Sequence, residues 1–174
     1  LLGSLENANL KGLAYAERGF RNLTNSVRPV TTPADLAGLK LRVMENEVYT
    51  KTFTALGADV SPMAWTDTLT ALQNGAIEGQ ENPINVICSY KLWESNQKYA
   101  TLTRHSYSTA IITMSLDKFN ELPEDVQAVF KDAAQQAAEY ERAWVAENEA
   151  TQLQEMKDNG MEVVEDPDLD AFKA

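Results

Sequence analysis

The chain has 174 residues, is 44% hydrophobic and carries a formal net charge of −11. That is the length of one ordinary domain or the larger part of two small ones, with enough apolar residues for a core. One Cys excludes an internal disulfide framework, one His argues against a multi-His metal site, and no apolar run reaches the roughly 18 residues of a membrane helix.

The charge is uneven. Residues 1–116 hold ten bases and ten acids, and residues 117–174 hold five bases against sixteen acids. An acidic chain repels nucleic acid and anionic lipid, which makes both poor partners. An arginine in the neutral block meets no strong opposing field and can hold an anion. The chain starts at Leu1, with no basic segment leading into an apolar signal core. Processing or truncation is therefore expected to have removed the true beginning.

In chain order, residues 10–16 alternate apolar and small side chains and read as a strand, extended again over 21–25. Thr32-Pro33-Ala34-Asp35 starts a short helix that Gly38 stops. Residues 39–44 form a compact apolar strand interrupted by Arg42. Residues 47–56 have helical spacing, ended by Gly57, and 58–62 are extended. A helix over 66–74 leads to a strand over 76–80, which Glu81-Asn82-Pro83 ends as a turn. Residues 84–90 read as helical, and 99–105 and 108–114 as two β-rich runs. Units of about 20 residues alternating strand and helix predict an α/β sheet with parallel pairs. From Pro123 to Asn159 there is no Gly or internal Pro, and Val126, Val129, Phe130, Ala133, Ala137, Tyr140, Trp144 and Val145 form an apolar stripe. One long helix over about 123–159, straight or kinked, is expected, followed by a strand at 161–164.

Arg42 is the first candidate site residue, because a guanidinium is costly to bury without a partner. It is either an edge-strand residue, in solvent or paired to an acid, or an anchor for a carboxylate at a strand end. Asn82 can donate and accept at once, which suits a carboxylate or hydroxyl, although Asn-Pro is also ordinary turn chemistry. Trp65 is either a flat wall for a ligand or core. Arg21 either helps neutralise an anion or is a surface charge. His105 has no acid near it in sequence and reads as solvent-facing or satisfied in the core, and Cys88 as a buried small hydrophobe. No phosphate loop, metal-spaced cluster or nucleophile elbow is present, and no cofactor is expected.

The stretches 19–25 (GFRNLTN), 35–43 (DLAGLKLRV), 56–58 (LGA), 62–65 (PMAW), 71–75 (ALQNG), 79–83 (GQENP) and Leu122-Pro123 follow one another in an order and spacing that carry a family resemblance. From about Leu10 to its end the chain resembles the extracytoplasmic solute-binding proteins of tripartite ATP-independent periplasmic (TRAP) transporters, DctP type.

The resemblance implies a periplasmic-binding-protein-like fold: two α/β lobes joined by a hinge and by a long helix. It implies a periplasmic protein, its signal peptide removed or missing, that closes on a small organic acid and delivers it to TRAP permease membrane subunits, without enzymatic turnover or insertion into the membrane. It also implies a fragment. Residues 1–106 would be the second ligand-binding lobe. Residues 107–174 would be the returning strand of an incomplete first lobe, the connecting helix and a final strand.

By position, Arg42 would grip the ligand carboxylate, with Arg21 as a second nearby cation. Asn82 would hydrogen-bond the carboxylate and Trp65 would pack on the ligand. Glu45 stands where some members have an Asn, which suits a hydroxyl-rich ligand and disfavours a second carboxylate. Asp67 replaces a frequent Glu, with no role assigned. The alternatives are a sensory or scavenging lobe without a transporter, or an α/β enzyme with Asp67 or Glu81 as base, which lacks a nucleophile.

Overall fold

The computed structural model describes residues 1–173. The chain divides into two compact units that interleave along the sequence: unit 1 is Leu1–Gly19 with Tyr107–Glu149, and unit 2 is Phe20–Ser106 with Ala150–Ala174.

The strands are β1 (Leu10–Asn25), β2 (Lys40–Val43), β3 (Asp59–Pro62), β4 (Gly79–Pro83), β5 (Tyr99–Ser115) and β6 (Glu162–Val164). The main helices are α1 (Glu47–Ala55), α2 (Trp65–Gln73), α3 (Ile84–Ser89), α4 (Leu116–Asn120), α5 (Glu124–Asp158) and α6 (Leu169–Lys173). Strand order in the sheet is β3-β2-β4-β1-β5-β6. β2 pairs in parallel with both β3 and β4, and β5 with β6, while β1 runs antiparallel to β4. The mixed α/β sheet flanked by helices agrees with the sequence reading.

In unit 2 the parallel strands β3, β2 and β4 bring their carboxyl ends to one edge of the sheet. Because β1 is antiparallel, its Arg21 lies opposite Pro83 at that same edge. The register sorts side chains by face. Arg42 aligns with Gln80, and Gln80 with Thr24, so these polar residues share one face. Leu41 and Val43 point to the other, where they join Leu23, Leu36, Leu39 and Phe53 in a buried cluster. A second cluster gathers Ile84, Ile87, Cys88, Leu92, Ala100, Leu102, Met156 and Met161. Gly79 makes the crossing of β4 and β1 possible, since a Cβ there would lie 2.6 Å from the Thr24 carbonyl oxygen. Asn46 caps α1 by accepting from the Val48 N–H at 2.9 Å.

Unit 1 is held by small residues. Ala14 and Ala16 of β1 pack with Ala134 and Ala138 of α5, flanked by Leu13, Ala110 and Ile112. Arg142 donates to the Tyr15 carbonyl at 2.8 Å, and Leu116 N–H to the Asn9 carbonyl at 2.9 Å.

α5 is one helix of 35 residues, as the sequence predicts, with a contour of about 52 Å at ~1.5 Å per residue. Glu124 and Asp125 sit in its first turn and Lys157 in its last, each favoured by the helix dipole. It ends in a Schellman cap: Gly160 has φ +88°, its N–H bonds the Lys157 carbonyl at 2.9 Å, and Met161 N–H bonds the Met156 carbonyl at 3.0 Å.

Three sequence expectations differ from the structure. Gly79-Gln80-Glu81-Asn82-Pro83 is not a turn after a strand; it is the strand β4, buried throughout. It lacks apolar side chains, and the ladders to β1 and β2 fix it instead. The two β-rich runs are one 17-residue strand, β5, because nothing in Ser106-Tyr107 breaks an extended chain. The α5 stripe is mostly not core: of its residues Val145 is buried, whereas Val129, Phe130, Ala133, Ala137, Tyr140 and Trp144 are exposed, and the buried edge is instead the neighbouring Ala134 and Ala138. α5 packs along its alanine edge, which leaves the larger residues outside it.

Candidate functional site

Arg42 is not on an edge strand. β2 lies between β3 and β4, and Arg42 is 3% exposed. Its Nε and Nη2 both donate to the Met63 carbonyl, at 2.9 and 2.6 Å. Its guanidinium lies 5.5 Å from the centre of the Trp65 ring, a cation–π distance. Among the described residues no carboxylate comes within ion-pair distance of it. Burial pushes its pKa down, the attraction of Glu81 opposes this, Arg21 adds to it, and Glu45 opposes it again. The side chain remains a cation all the same.

Arg21 is not a surface charge; it is 5% exposed. Its Nε donates to Glu81 Oε2 at 2.5 Å and its Nη2 to Glu81 Oε1 at 2.9 Å. The same Nη2 reaches the Glu81 carbonyl at 2.7 Å and Asn82 Oδ1 at 3.0 Å. The guanidinium also lies 5.6 Å from the Tyr49 ring centre. Two parallel bonds to one carboxylate are the strongest form of this pairing.

Glu81 is fully buried. It projects to the face of Leu23 and Leu41, where an unpaired charge would be costly. Besides Arg21 it meets His105, whose Nε2 is 3.0 Å from Oε2. Burial pushes its carboxyl up, and the hydrogen bonds from His105 and Arg21 outweigh this and hold it below the usual range. His105 is satisfied inside unit 2, with Nδ1 2.7 Å from Thr103 Oγ1 and its ring edge-on to Phe53 at 5.0 Å. Its acid partner is 24 residues away in the chain.

Asn82, 7% exposed, accepts from Arg21 and donates to Gln80 Oε1 at 2.5 Å. Gln80 in turn donates to Thr24 Oγ1 at 2.8 Å, and Thr24 to Gln97 Oε1 at 2.7 Å. This buried relay fixes which end of the Asn82 amide meets Arg21. Trp65 is half-buried and does two things: it lies against the Ile84–Met161 cluster and Tyr90, at 5.0 Å, and it underlies Arg42. Glu45 is exposed on the loop between β2 and α1, three residues beyond Arg42. Asp67 is exposed in the first turn of α2. Tyr49 hydroxyl and Ser106 Oγ are 2.9 Å apart and line a hollow of about 140 Å³ with Val48, Thr52, Phe53 and His105.

The structure therefore bonds Arg21 to Asn82 at the carboxyl edge of β2 and β4, and places Arg42 at the same edge on the sheet face of Gln80, opposite to that of Leu23 and Glu81, with Trp65 beneath it. Sequence reasoning missed the pairing of Glu81 with Arg21 and His105 and the Gln80–Thr24–Gln97 relay. No local spacing signalled either one, because Gly79–Pro83 has no apolar side chain to alternate and the partners are distant in sequence. Cys88 is buried, and burial with the nearby Glu155 charge pushes its thiol up to about 12, which suits an inert core residue.

Comparison with known proteins bears on this geometry. The family described as DctP, bacterial extracellular solute-binding protein, family 7, matches residues 1–174. The 2,3-diketo-L-gulonate-binding periplasmic protein YiaO of Escherichia coli (strain K12) is 41% identical over 172 residues, 99% of this chain and 52% of its own length. A TRAP periplasmic solute-binding protein from Polaromonas sp. JS666, solved with D-erythronate, superposes with a TM-score of 0.95 at 42% identity, over 99% of this chain and 56% of that one. Another, from Roseobacter denitrificans OCh 114 with L-galactonate, gives 0.89 at 40% identity, over 97% and 55%. The chain spans about half the length of the curated relatives it matches.

Proposed function

This chain belongs to the bacterial extracellular solute-binding protein family 7, the DctP family, and from that premise we propose that it forms the carboxylate-gripping part of a TRAP-transporter binding protein. The complete protein captures a small organic acid outside the cytoplasm and hands it to membrane permease subunits. Unit 2 acts as the ligand-binding lobe, and unit 1 belongs to the other lobe.

The observation that carries this reading is Arg42: a buried cation, at the carboxyl edge of a parallel sheet, with no carboxylate partner among the described residues. Open α/β sheets bind ligands at that edge. A guanidinium matches a carboxylate in planar geometry, and exclusion of water strengthens the pair. Trp65 supplies a flat wall and Asn82 a donor and acceptor. Arg21, already neutralised by Glu81, tunes the field. The periplasmic relatives support an extracytoplasmic location. No described helix is long and apolar enough to cross a membrane.

A thermal-shift screen of organic acids against the complete protein tests the reading. A ligand at 100 times its dissociation constant adds about 2.7 kcal/mol of stability, so at least one carboxylic acid should raise the melting temperature clearly and be recovered unchanged. An absence of any shift, or turnover of the bound acid, would contradict it.

A further inference from the structure

The hydrogen bonds behind Asn82 carry an inference that rests on the binding reading above and deepens it. They form one chain in which every donor points the same way. Arg21 Nη2 donates to Asn82 Oδ1 at 3.0 Å, Asn82 Nδ2 to Gln80 Oε1 at 2.5 Å, and Gln80 Nε2 to Thr24 Oγ1 at 2.8 Å. Thr24 Oγ1 donates to Gln97 Oε1 at 2.7 Å, and Gln97 Nε2 to the Glu78 carbonyl at 3.3 Å. Arg21, Asn82, Gln80, Thr24 and Gln97 are all buried.

The two ends fix the direction. A guanidinium only donates and a carbonyl only accepts, so no amide between them turns over without setting donor against donor or acceptor against acceptor. Such a reversal leaves buried polar groups unpaired, which costs more than a typical hydrogen bond contributes. Asn82 and Gln80 are two apart on β4, and Gln80 aligns with Arg42, so Asn82 rises from the same sheet face as Arg42. One proton of Asn82 Nδ2 goes to Gln80, and the second N–H has no partner among the described residues.

We infer that Gln97 and Thr24 are positioning residues for ligand binding. They touch no ligand themselves; they hold the Asn82 amide so that its second N–H is offered to an oxygen of the bound acid. Without Gln97, the Thr24 hydroxyl is free to donate to Gln80 instead. Gln80 then turns its own N–H groups toward those of Asn82, and Asn82 gives up either its bond from Arg21 or its orientation toward the acid.

The test pairs titration calorimetry with amide NMR on the complete protein, for the parent, Gln97→Met, Thr24→Val and Thr24→Ser. The probes are D-erythronate and L-galactonate, the acids in two of the similar structures; an acid found in the thermal-shift screen replaces them if neither binds. Gln97→Met and Thr24→Val should each weaken binding about three- to tenfold, the worth of one hydrogen bond. Thr24→Ser keeps the hydroxyl and should bind as the parent does. In the ligand-free protein the side-chain amide signal of Asn82 should shift in the first two variants and stay in the third. Melting temperature falls in the first two whether the role is positioning or merely structural, so the Asn82 signal decides. Thr24→Val carries the test where Gln97→Met does not fold.

Unchanged affinity in folded Gln97→Met or Thr24→Val protein overturns the inference and leaves the carboxylate reading standing. Weakened binding with the Asn82 signal unmoved also overturns it, because the two residues are then structural only. If no organic acid binds the parent, the binding reading fails and this inference with it.

Discussion

The two units depart from the usual partition of residues in opposite directions. Unit 2 buries three charged side chains, Arg21, Arg42 and Glu81, around the end of a sheet. Unit 1 leaves Val129, Phe130, Tyr140 and Trp144 exposed on α5 and packs through alanines. Tyr140 and Trp144, with Ala16, Ala110 and Ile112, line an apolar hollow of about 500 Å³. The two departures differ in cost. Exposed apolar side chains forgo burial energy, whereas a buried charge costs several kcal/mol unless it is paired. In unit 2 two of the three charges are paired and one is not. The unpaired one, Arg42, is the residue that the proposed function assigns to a ligand carboxylate.

The comparison can be broken most directly at Glu81. Glu81→Ala leaves Arg21 buried without its carboxylate, and removing one partner of such a pair costs about 3–5 kcal/mol. A large fall in the denaturation midpoint is expected. Replacing both partners by apolar residues, Arg21→Met with Glu81→Leu, should recover much of it. A Glu81→Ala protein of unchanged stability would mean that the buried pair does not hold the sheet end together.

In unit 1 the matching test is Ala138→Leu. Ala138 has no exposure and packs with Ala14, Ala16 and Ala134. Added methylenes in a packed alanine contact cost typically about 1–3 kcal/mol. Stability equal to the parent would show that α5 does not rest on its alanine edge.

Acidity separates the regions as well. The Glu81 carboxyl has a folded pKa held below its usual range. Its contribution is therefore fully present above the unfolded pKa of about 4.3 and is lost as pH falls through the lower folded value. Glu81→Gln should start less stable and show a flatter fall below about pH 4 than the parent. Parallel acid-unfolding curves would contradict this.

The smallest effect belongs to an exposed ion pair. Lys51 Nζ and Glu47 Oε1 are 2.7 Å apart with side chains 74% and 78% exposed. Such pairs are worth little, so Lys51→Ala should leave the urea midpoint almost unmoved. A loss approaching that of Glu81→Ala would erase the distinction that burial makes.

Much of the fold was legible because its elements announce themselves locally. Residues 124–158 contain neither Gly nor Pro, and α5 runs through all of them. The alternation from β2 to α2 was marked by Pro33, Gly38, Gly57 and Gly75. β4 was misread because Gly79–Pro83 has no apolar side chain, and Asn-Pro has the chemistry of a turn; only its neighbours in the sheet make it a strand. Within the site, Arg42 stood out as a charge inside an apolar run. The Glu81 network did not, because its members pair across 60 and 24 residues and no local spacing encodes that.

The central claim is that Arg42 is buried to meet a ligand rather than to hold the fold. Ligand affinity and melting temperature measured on the same samples of parent, Arg42→Ala and Arg42→Lys complete protein test it most directly. Losing one partner of a buried charge pair costs about 2–5 kcal/mol, or roughly 30- to several-thousand-fold in affinity. The account predicts that loss in Arg42→Ala, a substantial loss in Arg42→Lys because an ammonium cannot form the planar fork, and only a modest change in melting temperature from the bonds to Met63. Affinity near the parent value with a large drop in melting temperature would make Arg42 a structural residue and contradict the account.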